Sequence, residues 1–289
     1  MLENGPSRTA ASVAFRRAAH QVLDQPPVFH DPLANRMLSR EAQATLATDP
    51  HRGRHGLLQS RLRAFLAVRS RIAEDRVAEA VAAGVRQYVV LGAGLDTFAC
   101  RNPFAQLRVF EVDHPRTQAW KRERLRDAGL SASGWTSYVP VDFERQSARD
   151  ELVAHGFDPS RPTAVSWLGV VPYLDERTVW ATLEWVAGIV GDSGHIVFDY
   201  GSQARWWQVG RQIALRKLAA RVAAAGEPFR TWLEPARVRA RLATLGFRAV
   251  VDLDSAELNR RYFANRADGL RVGGGGHVVV ASRSGGNVS

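Results

Sequence analysis

Residues 86–101, RQYVVLGAGLDTFACR, decide the reading of this chain. Tyr88, Val89, Val90 and Leu91 form a short aromatic and β-branched run, the composition of a strand buried on both faces of a parallel sheet. Gly92-Ala93-Gly94 follows at once, where a strand must turn sharply and leave its main chain open. Two residues without a Cβ let a ligand approach that main chain closely. The next strand, LRVFEVD, ends on Asp113, 21 residues after Gly92. A carboxylate at about 20 residues beyond such a turn is placed to accept hydrogen bonds from a ribose. The pieces together make a nucleoside-binding βαβ unit.

Which nucleoside is a separate matter. A dinucleotide fingerprint carries a third glycine for tight helix–strand packing, and Thr97 stands there instead. Asp96, inside the turn GAGLDT, would repel a pyrophosphate and suits a ligand bearing an amino group. This favours S-adenosylmethionine over a nicotinamide or flavin dinucleotide.

Four segments in order, LGAGLDT, FEVDHP, VPVDFE and WLGVVPYL, resemble the leucine carboxyl methyltransferase family, and within it the bacterial S-adenosylmethionine-dependent O-methyltransferases. The likeness runs from about residue 7 to 283. It implies a Rossmann-like class I methyltransferase: a doubly wound, mostly parallel, seven-stranded α/β sheet behind an N-terminal helical cap. The cap is placed at 1–83 and the core at 84–289, with a helical insertion at about 201–233.

The resemblance also implies site residues. Arg69, in Arg69-Ser70-Arg71, would bind the carboxylate of the methionine moiety, with Arg71 the alternate; a planar guanidinium suits a carboxylate. The reading without the resemblance is a surface arginine paired with Glu74 or Asp75. Gly92, Ala93, Gly94 and Asp113 would hold the nucleoside. Asp142 would accept from the adenine amino group, and Phe143 would pack beside the ring; otherwise Asp142 is a helix N-cap. Leu168 stands where better-known relatives carry a cofactor-holding glutamate, and Phe98 where many carry arginine.

Outward from this centre, residues 10–23, 31–47 and 59–82 read as helices, with Asp31-Pro32 opening the second. Beyond residue 87, strands and helices alternate, as in a doubly wound sheet. Strands are expected at 137–141, 163–168, 194–200, 247–253 and 277–282, and helices at 115–128, 175–190, 203–225 and 234–245. The glycines at 273–276 give a short last connection and permit an antiparallel final strand.

The chain has 289 residues, 45% of them hydrophobic, enough for one large domain with a real core. Its one cysteine, Cys100, fits a reducing compartment, and the absence of a leader or an 18-residue apolar run points to the cytoplasm and away from membranes. The net charge of +10 invites nucleic acid. The positive charge is nearly all arginine, spread without a basic tail, with lysine only at 121 and 217, which argues against that partner.

The eight histidines stand in no motif, no His-Asp pair has a telling spacing, and neither a catalytic base nor a metal cluster emerges. A carboxylate acceptor needs no base, because it is ionised near neutrality; a phenol benefits from one. Together with the resemblance to carboxyl methyltransferases, this implies O-methylation of a small molecule at a carboxyl, or secondarily a hydroxyl, with S-adenosylhomocysteine as the other product and a place in secondary metabolism. A nucleic-acid methyltransferase and a protein that binds the cofactor without transfer are the rivals. The fourth strand ends in WLGVVPYL, not the Asp/Asn-Pro-Pro-aromatic loop of amino-methylating enzymes. Tyr173, Tyr200, Trp206 and Trp207 are the candidate acceptor contacts.

Overall fold

The computed structural model describes residues 8–50, 56–142, 145–203 and 228–283. Among the described residues, three helices precede the sheet: α1 (Arg8–Leu23), α2 (Arg40–Thr48) and α3 (Leu57–Ala82). The alternating part runs β1 (Gln87–Leu91), α4 (Phe98–Arg101), β2 (Arg108–Asp113), α5 (Pro115–Asp127), β3 (Thr136–Pro140), α6 (Ala148–Ala154) and β4 (Thr163–Trp167). After one 3₁₀ turn (Val171–Tyr173) come α7 (Glu176–Val190), β5 (His195–Gly201), α8 (Pro235–Thr244), β6 (Ala249–Leu253), α9 (Ser255–Tyr262) and β7 (Gly276–Ser282).

The seven strands form one sheet of order β3-β2-β1-β4-β5-β7-β6. β1 to β5 pair in parallel, and β7 runs antiparallel to both β5 and β6. Every residue of β1 and β4 is buried, as a central strand covered on two faces requires. One face carries α6, α7 and α8 on a core that includes Phe110, Trp167, Leu183, Phe198 and Leu242. The other carries α3, whose Val68 and Ile72 pack with Val197, Val278 and Leu258, while Val77 meets Tyr88 and Val109. The order reverses between β1 and β4, which start neighbouring connections on opposite sides and open a crevice at their carboxyl ends.

Two local expectations are corrected. Residues 31–38 are turns, and α2 begins only at Arg40, with Ser39 Oγ accepting from Ala42 N. Asp31 closes a turn in place of a helix: its buried carboxylate accepts from Leu33 N, and it is tied to the core by Thr97 Oγ1 and by Arg101 Nε at 3.2 Å. The connection from β6 to β7 is not short, since it contains α9. Asp254 caps that helix by accepting from Ala256 N and Glu257 N, and Asp254 with Glu257 three residues on is itself a sequence-level start signal. The helix expected at 203–225 lies outside the described residues.

Lys121, one of the two lysines, is buried with its Nζ 2.6 Å from Glu111 of β2, an ion-pair contact without hydrogen-bond angles. It belongs to the interior, not to a basic surface.

Candidate active site

The register explains why distant motifs meet. Leu91 pairs with Val112 on one side and Trp167 on the other, so Gly92, Asp113 and Leu168 emerge side by side from three adjacent strands. Gly92 N and Ala93 N both donate to Val112 O, which folds the turn back over β2. Gly92 has φ +68°, and a Cβ there would overlap Val170 Cγ2. The turn that the sequence places at a ligand is thus also a turn that only glycine fits.

Asp113 fixes the turn chemically. Oδ2 accepts from Gly94 N at 2.6 Å and Oδ1 from His114 N at 2.7 Å. Burial lifts its carboxyl above the ordinary range, against the pull of these two N–H groups. Asp96 behaves differently from the sequence reading. Burial would raise it too, but Arg17, Lys121 and Arg101 outweigh burial and hold its carboxyl below the usual range. Arg17 Nη2 donates to Asp96 Oδ2 at 2.8 Å, so the cation facing Asp96 is the protein's own.

A cavity of about 260 Å³ opens at this edge. Among its walls are Arg69, Gly92, Ala93, Gly94, Asp113, Leu168 and Tyr173, and also Arg17, which the sequence reading missed. α1 forms one side through Thr9, Ala10, Val13, Ala14 and Arg17. The signal for Arg17 was weak in sequence: one of two adjacent arginines, with its partner Asp96 79 residues away.

The two candidate arginines in α3 separate cleanly. Arg71 is half exposed and pairs with Asp75, the surface reading. Arg69 is buried, and its Nη1 donates to Asp199 Oδ2 at 2.9 Å. Leu168 is half-buried and packs against the Val68–Val197 side of the core. Tyr173 borders the cavity with Phe229 5.5 Å behind it, centroid to centroid.

Other candidates lie elsewhere. Tyr200 does not line the cavity; it is 1% exposed, stacks on His277 at 4.8 Å and donates its hydroxyl to Asp252 Oδ2. Strand alternation turns it into the core, beside His277 of the neighbouring strand β7. Asp142 is not among the cavity walls either, and Ser147, not Asp142, caps α6. It does sit one residue past Val141, whose N–H donates to Asp113 O, so the chain brings it beside the end of β2. Phe143, Trp206 and Trp207 are outside the described residues. A His-Asp pair invisible in sequence appears, His277 Nδ1 to Asp252 Oδ1 at 2.8 Å, away from the cavity walls. Among the described residues no group of three His, Cys, Asp or Glu is placed to hold a metal, and no helix is long and apolar enough to cross a membrane.

The donor set can be tested against S-adenosylmethionine. Arg69 Nε is buried without a hydrogen-bond partner on an arginine at the cavity wall, whereas Arg17 Nη1 lies 3.6 Å from the Asp31 carboxylate. A buried donor like Arg69 Nε calls for an acceptor. Arg69 offers a place for an anionic end, and the Asp113 carboxylate beside the turn one for a ribose. The residues fit the group.

The fold and this edge define a class I S-adenosylmethionine-dependent methyltransferase. The model of the family described as "Leucine carboxyl methyltransferase" matches residues 10–187, and the chain belongs to that family. Two relatives bear the name "Putative S-adenosyl-L-methionine-dependent methyltransferase". YktD of Bacillus subtilis is 30% identical over 291 residues, covering 93% of this chain and 95% of its own. The second, from Saccharopolyspora erythraea, is 38% identical over 174 residues, 59% of each chain. A DUF574 family protein from Streptomyces avermitilis, with a crystal structure, has the same fold at 17% identity (TM-score 0.57, 94% of this chain and 97% of that one).

Proposed function

We propose that this methyltransferase esterifies the carboxyl group of a small, apolar acid. The observation that carries the reading is the state of the titratable side chains at the cavity. Among the described residues, each candidate base there already has a partner. Asp96 is held by Arg17, Glu74 by Arg101, and Asp113 by two backbone N–H groups. His114 Nδ1 accepts from Arg116 N as the cap of α5. A carboxylate acceptor needs none of them, because it is ionised throughout the neutral range. Apolar walls at Val170, Tyr173 and Leu174 suit the remainder of such an acid.

The cofactor supplies an electrophilic methyl group on sulfur. The chain's part is to bind, orient and exclude water. In this reading Arg69 holds the methionine carboxylate, Asp113 the ribose hydroxyls, and the Gly92–Gly94 main chain lies against the nucleoside. Asp142 and Phe143 take the adenine edge and face. Tyr173 and Trp206 contact the acceptor. The aromatic and aliphatic walls keep water from competing with the carboxylate oxygen.

The test is transfer of a labelled methyl group to a panel of small acids and phenols. The expected product is an ester that mild alkali hydrolyses with release of methanol. Activity should stay nearly flat from about pH 6 to 8, since a carboxyl with pKa near ~4 does not titrate there. An alkali-stable product, with activity climbing steeply through that range, would overturn the carboxyl reading in favour of a hydroxyl.

A further inference from the structure

Asp199, the fifth residue of β5, is almost fully buried and has a partner for each oxygen. Oδ2 takes the Arg69 Nη1 proton from α3 at 2.9 Å. Oδ1 takes the N–H of Gly169 at 2.6 Å, on the turn that follows β4. One carboxylate therefore joins three elements: the helix that carries Arg69, the strand β5, and the turn that leads to Val170 and Tyr173. Gly169 completes the arrangement. It has φ +73°, and its absent Cβ would lie 2.7 Å from Arg69 Nη2 and 3.0 Å from Nη1, so the guanidinium lies flat on that turn.

A purely structural ion pair closes on itself. This one does not, because Arg69 Nε stays buried without a partner and Arg69 borders the cavity. We propose that Asp199 is a positioning residue for cofactor binding: it holds the Arg69 guanidinium in the orientation that receives the methionine carboxylate. The inference rests on the role given to Arg69 above. Its physical content is pre-organisation. A long, flexible cation loses rotamer freedom on binding an anion, and a side chain already held in place loses less. Asp199 also compensates a positive charge taken out of water, which an unpaired arginine at this depth could not sustain.

Calorimetry with two ligands separates positioning from simple stabilisation. S-adenosylhomocysteine has the amino acid carboxylate; 5′-methylthioadenosine has the same thioether nucleoside without it. Arg69→Ala should weaken S-adenosylhomocysteine at least ~tenfold and leave 5′-methylthioadenosine within about twofold, as loss of a charged hydrogen bond does. Asp199→Asn should give the same selective loss, since its amide oxygen stays on the Gly169 N–H and its NH2 then faces Arg69, donor against donor. In the Arg69→Ala background Asp199→Asn should add less than about twofold, because two residues acting through one contact are not additive. If Arg69→Ala weakens both ligands equally, the role of Arg69 itself is wrong. If Arg69→Ala is selective and Asp199→Asn is not, Asp199 merely supports the fold and the inference fails. Should Asp199→Asn not fold, Asp199→Glu keeps the charge but shifts it by one methylene; the same selective loss supports the inference, and an equal loss, or none, for both ligands overturns it.

Discussion

Gly92→Ala probes the turn in two separable ways. A left-handed residue other than glycine costs about 1–2 kcal/mol, and Gly92 sits at φ +68°. The added Cβ also overlaps Val170 Cγ2, and forcing a methyl into a filled site costs a further ~1–3 kcal/mol. The less flexible unfolded chain returns about 0.4–1 kcal/mol. The net loss should therefore be about 2–4 kcal/mol. Val170 borders the cavity, so its displacement should weaken S-adenosylhomocysteine as well. Urea unfolding of the wild type, Gly92→Ala, Val170→Ala and the double variant resolves the parts. In the Val170→Ala background the overlap is gone, and Gly92→Ala should cost only about 1 kcal/mol from backbone strain. The coupling of roughly 1–3 kcal/mol between the two sites is the overlap itself. An identical cost in both backgrounds would refute the Val170 contact, and no cost in either would refute the left-handed turn.

Asp113→Ala should lower S-adenosylhomocysteine affinity by calorimetry at least ~tenfold, about 1.4 kcal/mol, through loss of charge-assisted bonds; unchanged affinity in a folded variant removes Asp113 from the ribose. Arg63→Ala strands the buried Asp24, which Arg63 grips through Nε and Nη2 while His20 Nδ1 lies 2.7 Å away. Its cost in urea should be about 3–5 kcal/mol, and a loss below about 1 kcal/mol would show that Asp24 finds water or another partner. His195 is buried and Arg76 lies nearby, and together they hold its imidazole down at about 4, from an ordinary 6.5. The unfolded chain therefore takes up this proton near pH 6.5 and the folded chain only near 4, so stability falls as pH is lowered across that window, by roughly 3 kcal/mol. Burial raises the Glu74 and Glu111 carboxyls, which work in the opposite sense, so the quantity to measure is wild type minus His195→Leu. Parallel stability curves for the two proteins between pH 7 and 4.5 would refute the assignment.

What the sequence makes legible is what lies close together along it. The glycine turn and Asp113 belong to one βαβ unit, and their spacing alone sets them side by side. Arg69 against Arg71 is another matter. Nothing within α3 tells which arginine faces inward, and the answer comes from Asp199, 130 residues later. Arg17 stayed invisible for the same reason, since its carboxylate arrives with the turn after β1. Tyr200 reads as a pocket wall at the end of its strand, because the partners that hold it in the core, Asp252 and His277, lie far along the chain on β6 and β7. The α9 helix, by contrast, is legible in the sequence, since Asp254 and Glu257 mark its start.

The separation of Arg69 from Asp199 bears on how the molecule acquires its binding competence. The guanidinium is in place only when α3 has docked on a sheet that extends to β5, a contact between residues 130 apart in the chain. Affinity for the amino acid carboxylate is therefore a property of the assembled sheet, absent from any partly folded species lacking β5. In amide hydrogen exchange, S-adenosylhomocysteine should slow opening of α1, α3 and β5 together, although no two of them are neighbours in sequence.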